Sequence, residues 1–289
     1  MKEGLAMELQ RERLKLISRS PLWAIRPEGL QALLMRLASG APIGLPKPQT
    51  KGSAGNKVAI IPVQGVLTRD EAWAGTTYGS ISDAAEKAAS DPSVKRIVLD
   101  VDSPGGEVTG LPETAAILSQ AAKVKPVHAI VDGYAASAAY WLTSQASYIT
   151  MAPSAEVGSV GVRMMHVDIS EALEDAGIKV TELSSGKFKT EWSPYTPPTK
   201  AATADMQAKL TTAHNDFIRA VRDGRGMRTT PGITKDRYGE GRMFTAKEAL
   251  GHGLADAVQS SREFYKALTA PETTPGTARA RLELERQRV

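Results

Sequence analysis

From position 57 onward the chain alternates between two textures. Continuous apolar runs, "KVAIIPVQGVL", "VKRIVLDVD", "KPVHAIVD" and "SYITMAP", are separated by Ala-rich stretches, "SISDAAEKAASD", "LPETAAILSQAA" and "SAAYWLTSQA". A run that is apolar at nearly every position fits a strand covered on both faces, and the Ala-rich stretches carry apolar residues at helical spacing. Strand and helix in strict alternation require right-handed crossovers and a mainly parallel sheet. The pattern therefore predicts a layered α/β domain of repeated β-α units over 57–260.

The flanks read differently. Residues 1–56 form a helical N-terminal extension, in which "PEGLQALLMRLA" places Leu30, Leu33, Leu34 and Leu37 on one helical face. Such a face can grip a membrane surface, but docking on another protein or on the chain's own core is the favoured reading. The stretch "SGAPIGLPKPQTKGSAGNK" then reads as a Gly- and Pro-rich linker. Residues 261–289 turn to Pro, Thr and Ala and then to charge, which predicts a flexible C-terminal tail.

Composition narrows the classes. In a chain of 289 residues, 42% hydrophobic content is ample for a large core. The net charge of +4 is small and interspersed, so nucleic acid is not an expected partner. Cysteine is absent, which removes disulfides, thiolate metal sites and a cysteine nucleophile. No stretch reaches the roughly 20 apolar residues that cross a bilayer. The charged N-terminus does not resemble a secretory signal, so the expectation is a cytoplasmic protein with no membrane partner. No metal-ligand spacing stands out, and no cofactor is expected.

Chemistry concentrates at two strand ends. In "VLDVDSPGGEVTG" an apolar strand runs into Asp102, Ser103, Pro104, Gly105 and Gly106, with a helix expected next. Paired glycines let backbone N–H groups approach a ligand closely, here as candidate oxyanion donors, although a plain turn explains the same text. In "VDGYAASAAYW" Ser137 stands alone among alanines where a helix is expected to begin. A serine there either caps the helix or acts as a nucleophile whose following N–H, that of Ala138, completes an oxyanion hole.

Together these residues resemble the signal peptide peptidase A family of serine peptidases, whose fold is shared with ClpP and the crotonases. The marks run in order from about Val58 to Val258: "DSPGG", "GYAASAAYW", "GSVGV", "SGKFK", "RGM" and "GRMFTAKEALGHGLADAV". "SPYT" at 193–196 is similar to text in the head-maturation proteases of tailed phages. The resemblance implies a Ser-Lys dyad of Ser137 and Lys189, with Ser159 positioning the base and Gly105, Gly106 and Ala138 around the oxyanion. Lys187 would share Lys189's side of a strand, so pattern alone leaves that choice open. His166 lies downstream of Ser137 as a ClpP-type base would, and is read as a structural histidine.

What this implies is a serine endopeptidase in a homo-oligomeric ring, acting on polypeptides such as scaffold, portal or capsid proteins, in the host cytoplasm or inside a phage procapsid. Segments 40–56 and beyond about 265 are candidate self-cleavage sites. The alternatives are a general cytoplasmic peptidase of the same family, a crotonase-like thioester enzyme, and a non-enzymatic capsid component.

Overall fold

The computed structural model describes residues 22–31, 47–53, 56–69 and 75–269. Its frame is a parallel run of five strands: β3 (Asn56–Leu67), β4 (Val94–Glu107), β5 (Val127–Ala136), β6 (Tyr148–Met151) and β9 (Ala257–Val258). Helix α1 (Tyr78–Ser90) links β3 to β4, α2 (Leu111–Val124) links β4 to β5, and the short α3 (Ala138–Thr143) follows β5. The expected layered α/β architecture of β-α units is the one observed.

Burial follows the period of two that a doubly covered strand must show. Ile61, Leu99 and Ala129 face the main core, beneath Ile81 and Ala85 of α1 and Leu118 of α2. Val58, Ile60, Val98 and Ile130 face the other way.

That second face is covered by a helix within the stretch read as a flexible tail. Here α8 (Ser261–Thr269) lays Phe264, Tyr265 and Leu268 on it. The rest of that stretch, 270–289, lies outside the described residues.

The helical extension and linker also contribute strands. β2 (Gln49–Ser53) pairs antiparallel with β3. β1 (Trp23–Ile25) pairs antiparallel with the end of β4, and a helix begins at 27–31 with Leu30 buried. Leu33, Leu34 and Leu37 lie outside the described residues.

The strand ends diverge in a way that creates a site. β4 and β5 stay paired only as far as Ser103 and Ala135. Beyond that point β5 pairs with β7 (Glu156–Gly158), which is backed by the antiparallel β8 (Met243–Thr245). The end of β4 keeps β3 on one edge and takes β1 on the other. β1 thus fills the fork.

The remaining helices are α4 (Ser170–Asp175), the long α5 (Lys200–Arg225), α6 (Pro231–Lys235) and α7 (Ala246–His252). α5 stacks Phe217 on Trp141 of α3, with ring centroids 4.8 Å apart.

Candidate active site

Ser137 follows the last residue of β5 and precedes α3, but it does not cap that helix. Its side chain makes no capping bond, and its backbone sits at φ 54, ψ −120, where a residue with a Cβ is strained. Its N–H donates to the Gly158 carbonyl at 2.8 Å, and its hydroxyl donates to the Gly161 carbonyl at 3.4 Å. The capping reading fails on this geometry. A strained turn from strand to helix instead presents the hydroxyl at the end of the sheet, as a nucleophile requires.

The first intrahelical bond runs from the Trp141 N–H to the Ser137 carbonyl. The N–H of Ala138, the first helical residue, therefore has no partner within α3. Ala138 is fully buried beside Ser137.

The double glycine does not open a helix. β4 runs on through Glu107, and α2 starts only at Leu111, behind Gly110 at φ 87. No helix dipole therefore acts at Gly105 and Gly106, which belong to an extended strand. Gly105 donates its N–H to the Ser103 hydroxyl at 3.2 Å, while that hydroxyl donates to the Gly65 carbonyl at 2.6 Å. The Gly105 amide is thus engaged within the strand, and Gly106 pairs with Ala24 of β1.

Both glycines are required by space. A methyl on Gly106 would fall 1.9 Å from the Leu67 carbonyl oxygen, and one on Gly105 would fall 2.2 Å from that of Ala24. Asp102 has a framing role. Its carboxylate accepts the Tyr134 N–H at 3.1 Å and occupies the space a side chain at Gly133 would need.

Ser159 also has a left-handed backbone, at φ 55, and donates its N–H to the Arg242 carbonyl at 2.7 Å. It adjoins Gly158, which anchors Ser137, so Ser137, Ala138 and Ser159 meet at one end of the sheet, where Gly105 lies against the Ala136 carbonyl. Lys189 does not join them. The "SGKFK" stretch is a turn rather than the expected strand, closed by the Lys189 N–H donating to the Gly186 carbonyl at 3.0 Å. Both Lys189 and Lys187 are exposed, and the Lys187 ammonium lies 5.1 Å from the Phe188 ring centroid. His166 packs edge-on against Trp192.

Two supports were not read from the sequence, because nothing in local pattern marks them. His214 on α5 lies by the backbone of Val160, and burial holds its pKa below the ordinary histidine value. Arg225, fully buried, grips Asp256 through two bonds of 3.0 and 2.6 Å and also donates to the Gly253 carbonyl. The "RGM" and "GHGLADAV" marks meet in that clamp. Their role is to tie α5 to the loop before β9, where the Leu254 carbonyl also accepts the Tyr140 hydroxyl of α3.

Comparison with known proteins places this geometry. The capsid assembly protease C of Escherichia phage lambda is 32% identical over 72% of this chain and 48% of its own length. The head-tail preconnector protein GP5 of Enterobacteria phage P21 is 30% identical over 70% of this chain and 40% of its own. The chain thus spans about half the length of these curated relatives. A solved membrane-bound stomatin-specific protease aligns with a TM-score of 0.45 at 17% identity, over 72% of this chain and 77% of that one. The model for peptidase family S49 matches residues 119–273, a span that holds Ser137, Ser159 and Lys189. On that match, which takes in more than half of the sequence, the chain belongs to peptidase family S49.

Proposed function

We propose that the chain is a serine endopeptidase acting through an acyl-enzyme on Ser137. The observation that carries this reading is the strained, buried, non-capping Ser137, followed at once by the buried Ala138 that begins α3. In the reaction the Ser137 oxygen bonds to a peptide carbonyl carbon while its proton passes to the side-chain nitrogen of Lys189. The Gly106 and Ala138 N–H groups hold the oxyanion, the C–N bond breaks, and the leaving amine takes the proton back. Water, deprotonated by the same lysine, then splits the ester and frees the serine. Ser159 holds the amine.

Within one chain Lys189 stands on an exposed turn. Its delivery to Ser137 is therefore assigned to assembly into a homo-oligomeric ring. The exposed apolar side chains of this region support that, with Leu183 at 93% and Phe188 at 62% exposure. The phage relatives, by their names a capsid assembly protease and a head-tail preconnector protein, point to scaffold, portal or capsid polypeptides as substrates, cut inside a procapsid in the host cytoplasm. No helix among the described residues is long and apolar enough to cross a membrane.

The test mixes variants. Ser137→Ala and Lys189→Met are each expected to be inactive on unfolded casein, with Lys187→Met and His166→Ala retaining most activity. Mixing the two dead chains before assembly should restore a measurable fraction of the rate. Full activity of Lys189→Met would remove the dyad.

A further inference from the structure

The fork beside Ser137 already holds a peptide. β1 is bonded on both edges through its backbone alone. On one edge Trp23, Ala24 and Ile25 pair antiparallel with Glu107, Gly106 and Gly105. The Arg26 N–H donates to the Pro104 carbonyl, and the Val108 N–H donates to the Leu22 carbonyl. Antiparallel pairs alternate, so with 26:104 and 22:108 bonded, Ala24 and Gly106 form the bonded pair between them. On the other edge Trp23 and Arg163 exchange both bonds, at 2.9 and 2.8 Å.

We propose that residues 22–26 are a built-in pseudosubstrate, lying in the groove that an extended peptide substrate must take and leaving it before another chain is cut. This rests on the peptidase reading above and adds what occupies its cleft. Three observations converge on it. The pairing uses only backbone groups, which any extended polypeptide supplies equally well. The Ala24 carbonyl lies against Gly105 and pairs with Gly106, the candidate oxyanion donor, in a fork whose far wall leads through Gly161 to the Ser137 hydroxyl. With the strand in place Ser137 is only 1% exposed, so no second polypeptide reaches it.

The strand also indicates what the groove accepts. The Ala24 side chain is fully buried in the main core, so a small residue is required at that place in a substrate. Two positions on, the Arg26 guanidinium lies 3.4 Å from the Glu156 carboxylate and 4.7 Å from the Tyr134 ring centroid, so a basic residue is favoured there. Proline ends the run at Pro27, which has no N–H to give. Being tethered, the strand competes at high effective concentration, and cutting the tether within 40–56 would remove that advantage.

The test uses the full-length Ser137→Ala chain and a synthetic peptide with the sequence of residues 20–28 at millimolar concentration. Hydrogen exchange read by mass spectrometry is expected to accelerate about tenfold or more at the Trp23, Ala24 and Arg26 amides. The amides of Gly106, Val108 and Arg163 should stay protected, because the added peptide replaces the strand. In an otherwise wild-type chain, Arg26→Ala should cleave casein several-fold faster. If exchange across 22–26 is unmoved by the peptide, β1 is a fixed strand and the inference is overturned, even where casein is cut. Displacement without cleavage of casein by either chain would instead sink the peptidase reading and leave the groove standing.

Discussion

A side chain held in the left-handed half of the backbone map costs on the order of 1–3 kcal/mol. Ser137 carries that cost at φ 54 while making no cap for the helix it precedes. The strain comes from the Cβ and the chemistry from the hydroxyl, so two substitutions separate them. Ser137→Ala should fold normally and lose all proteolysis. Ser137→Gly should be equally inactive yet more stable than the alanine variant by about 1 kcal/mol in urea unfolding; a glycine chain less stable than the alanine one would refute the strain. A second residue ties stability to pH. His128 sits on β5 beneath Phe264, bonded to the Thr150 hydroxyl at 2.9 Å, and burial lowers its pKa to about 4. An unfolded histidine takes its proton near pH 6.5, so below that pH the unfolded state binds more protons and stability falls until the pH reaches about 4. The loss is about 3 kcal/mol across that window at 1.36 kcal/mol per unit. Urea midpoints at pH 7 and pH 4.5 should differ less in His128→Gln than in the wild type; equal pH dependence would place the sensitivity elsewhere.

Between elements, the clamp of Arg225 on Asp256 joins the end of α5 to β6, where Asp256 also accepts the Ile149 N–H at 2.7 Å. Removing one buried partner strands the other, at about 3–5 kcal/mol. Arg225→Met should lose that much in urea unfolding, and adding Asp256→Leu should return a large part of it. Additive losses in the double variant would deny the coupling. At this scale the sequence was readable where burial is two-sided: the runs around Ile61, Leu99 and Ile130 are apolar at nearly every position because both faces are covered. Short or conditional elements were not readable. β1 is three residues long and β2 is "QTKGS", with no alternation to detect, and each exists only through its partner strand. Glycines at 105 and 106 looked like the end of a strand, yet β4 continues because β3 and β1 approach too closely for any side chain. Ser137 and its neighbours were legible from text at strand ends. The surroundings of Lys189 were not, since a turn and a strand share the letters "SGKFK".

For the whole molecule, the proposed dyad needs more than one copy of the chain. Light scattering on active protein should report a mass several times that of one chain, and Leu183→Asp with Phe188→Asp should lower both the mass and the activity. A fully active monomer would remove the ring and with it the account of how Lys189 reaches the serine. Maturation proteolysis adds a second expectation at this scale. Incubated wild-type protein should lose one or both ends, within 40–56 or beyond about 265, whereas Ser137→Ala should keep its full length; intact termini in both would remove self-processing. Peptide-bond cleavage by Ser137 is read by mapping new termini by mass spectrometry in unfolded casein incubated with wild-type and Ser137→Ala chains. New termini are expected with the wild type and none with the variant, at matching circular dichroism; equal cleavage by the two chains would show that Ser137 is not the nucleophile.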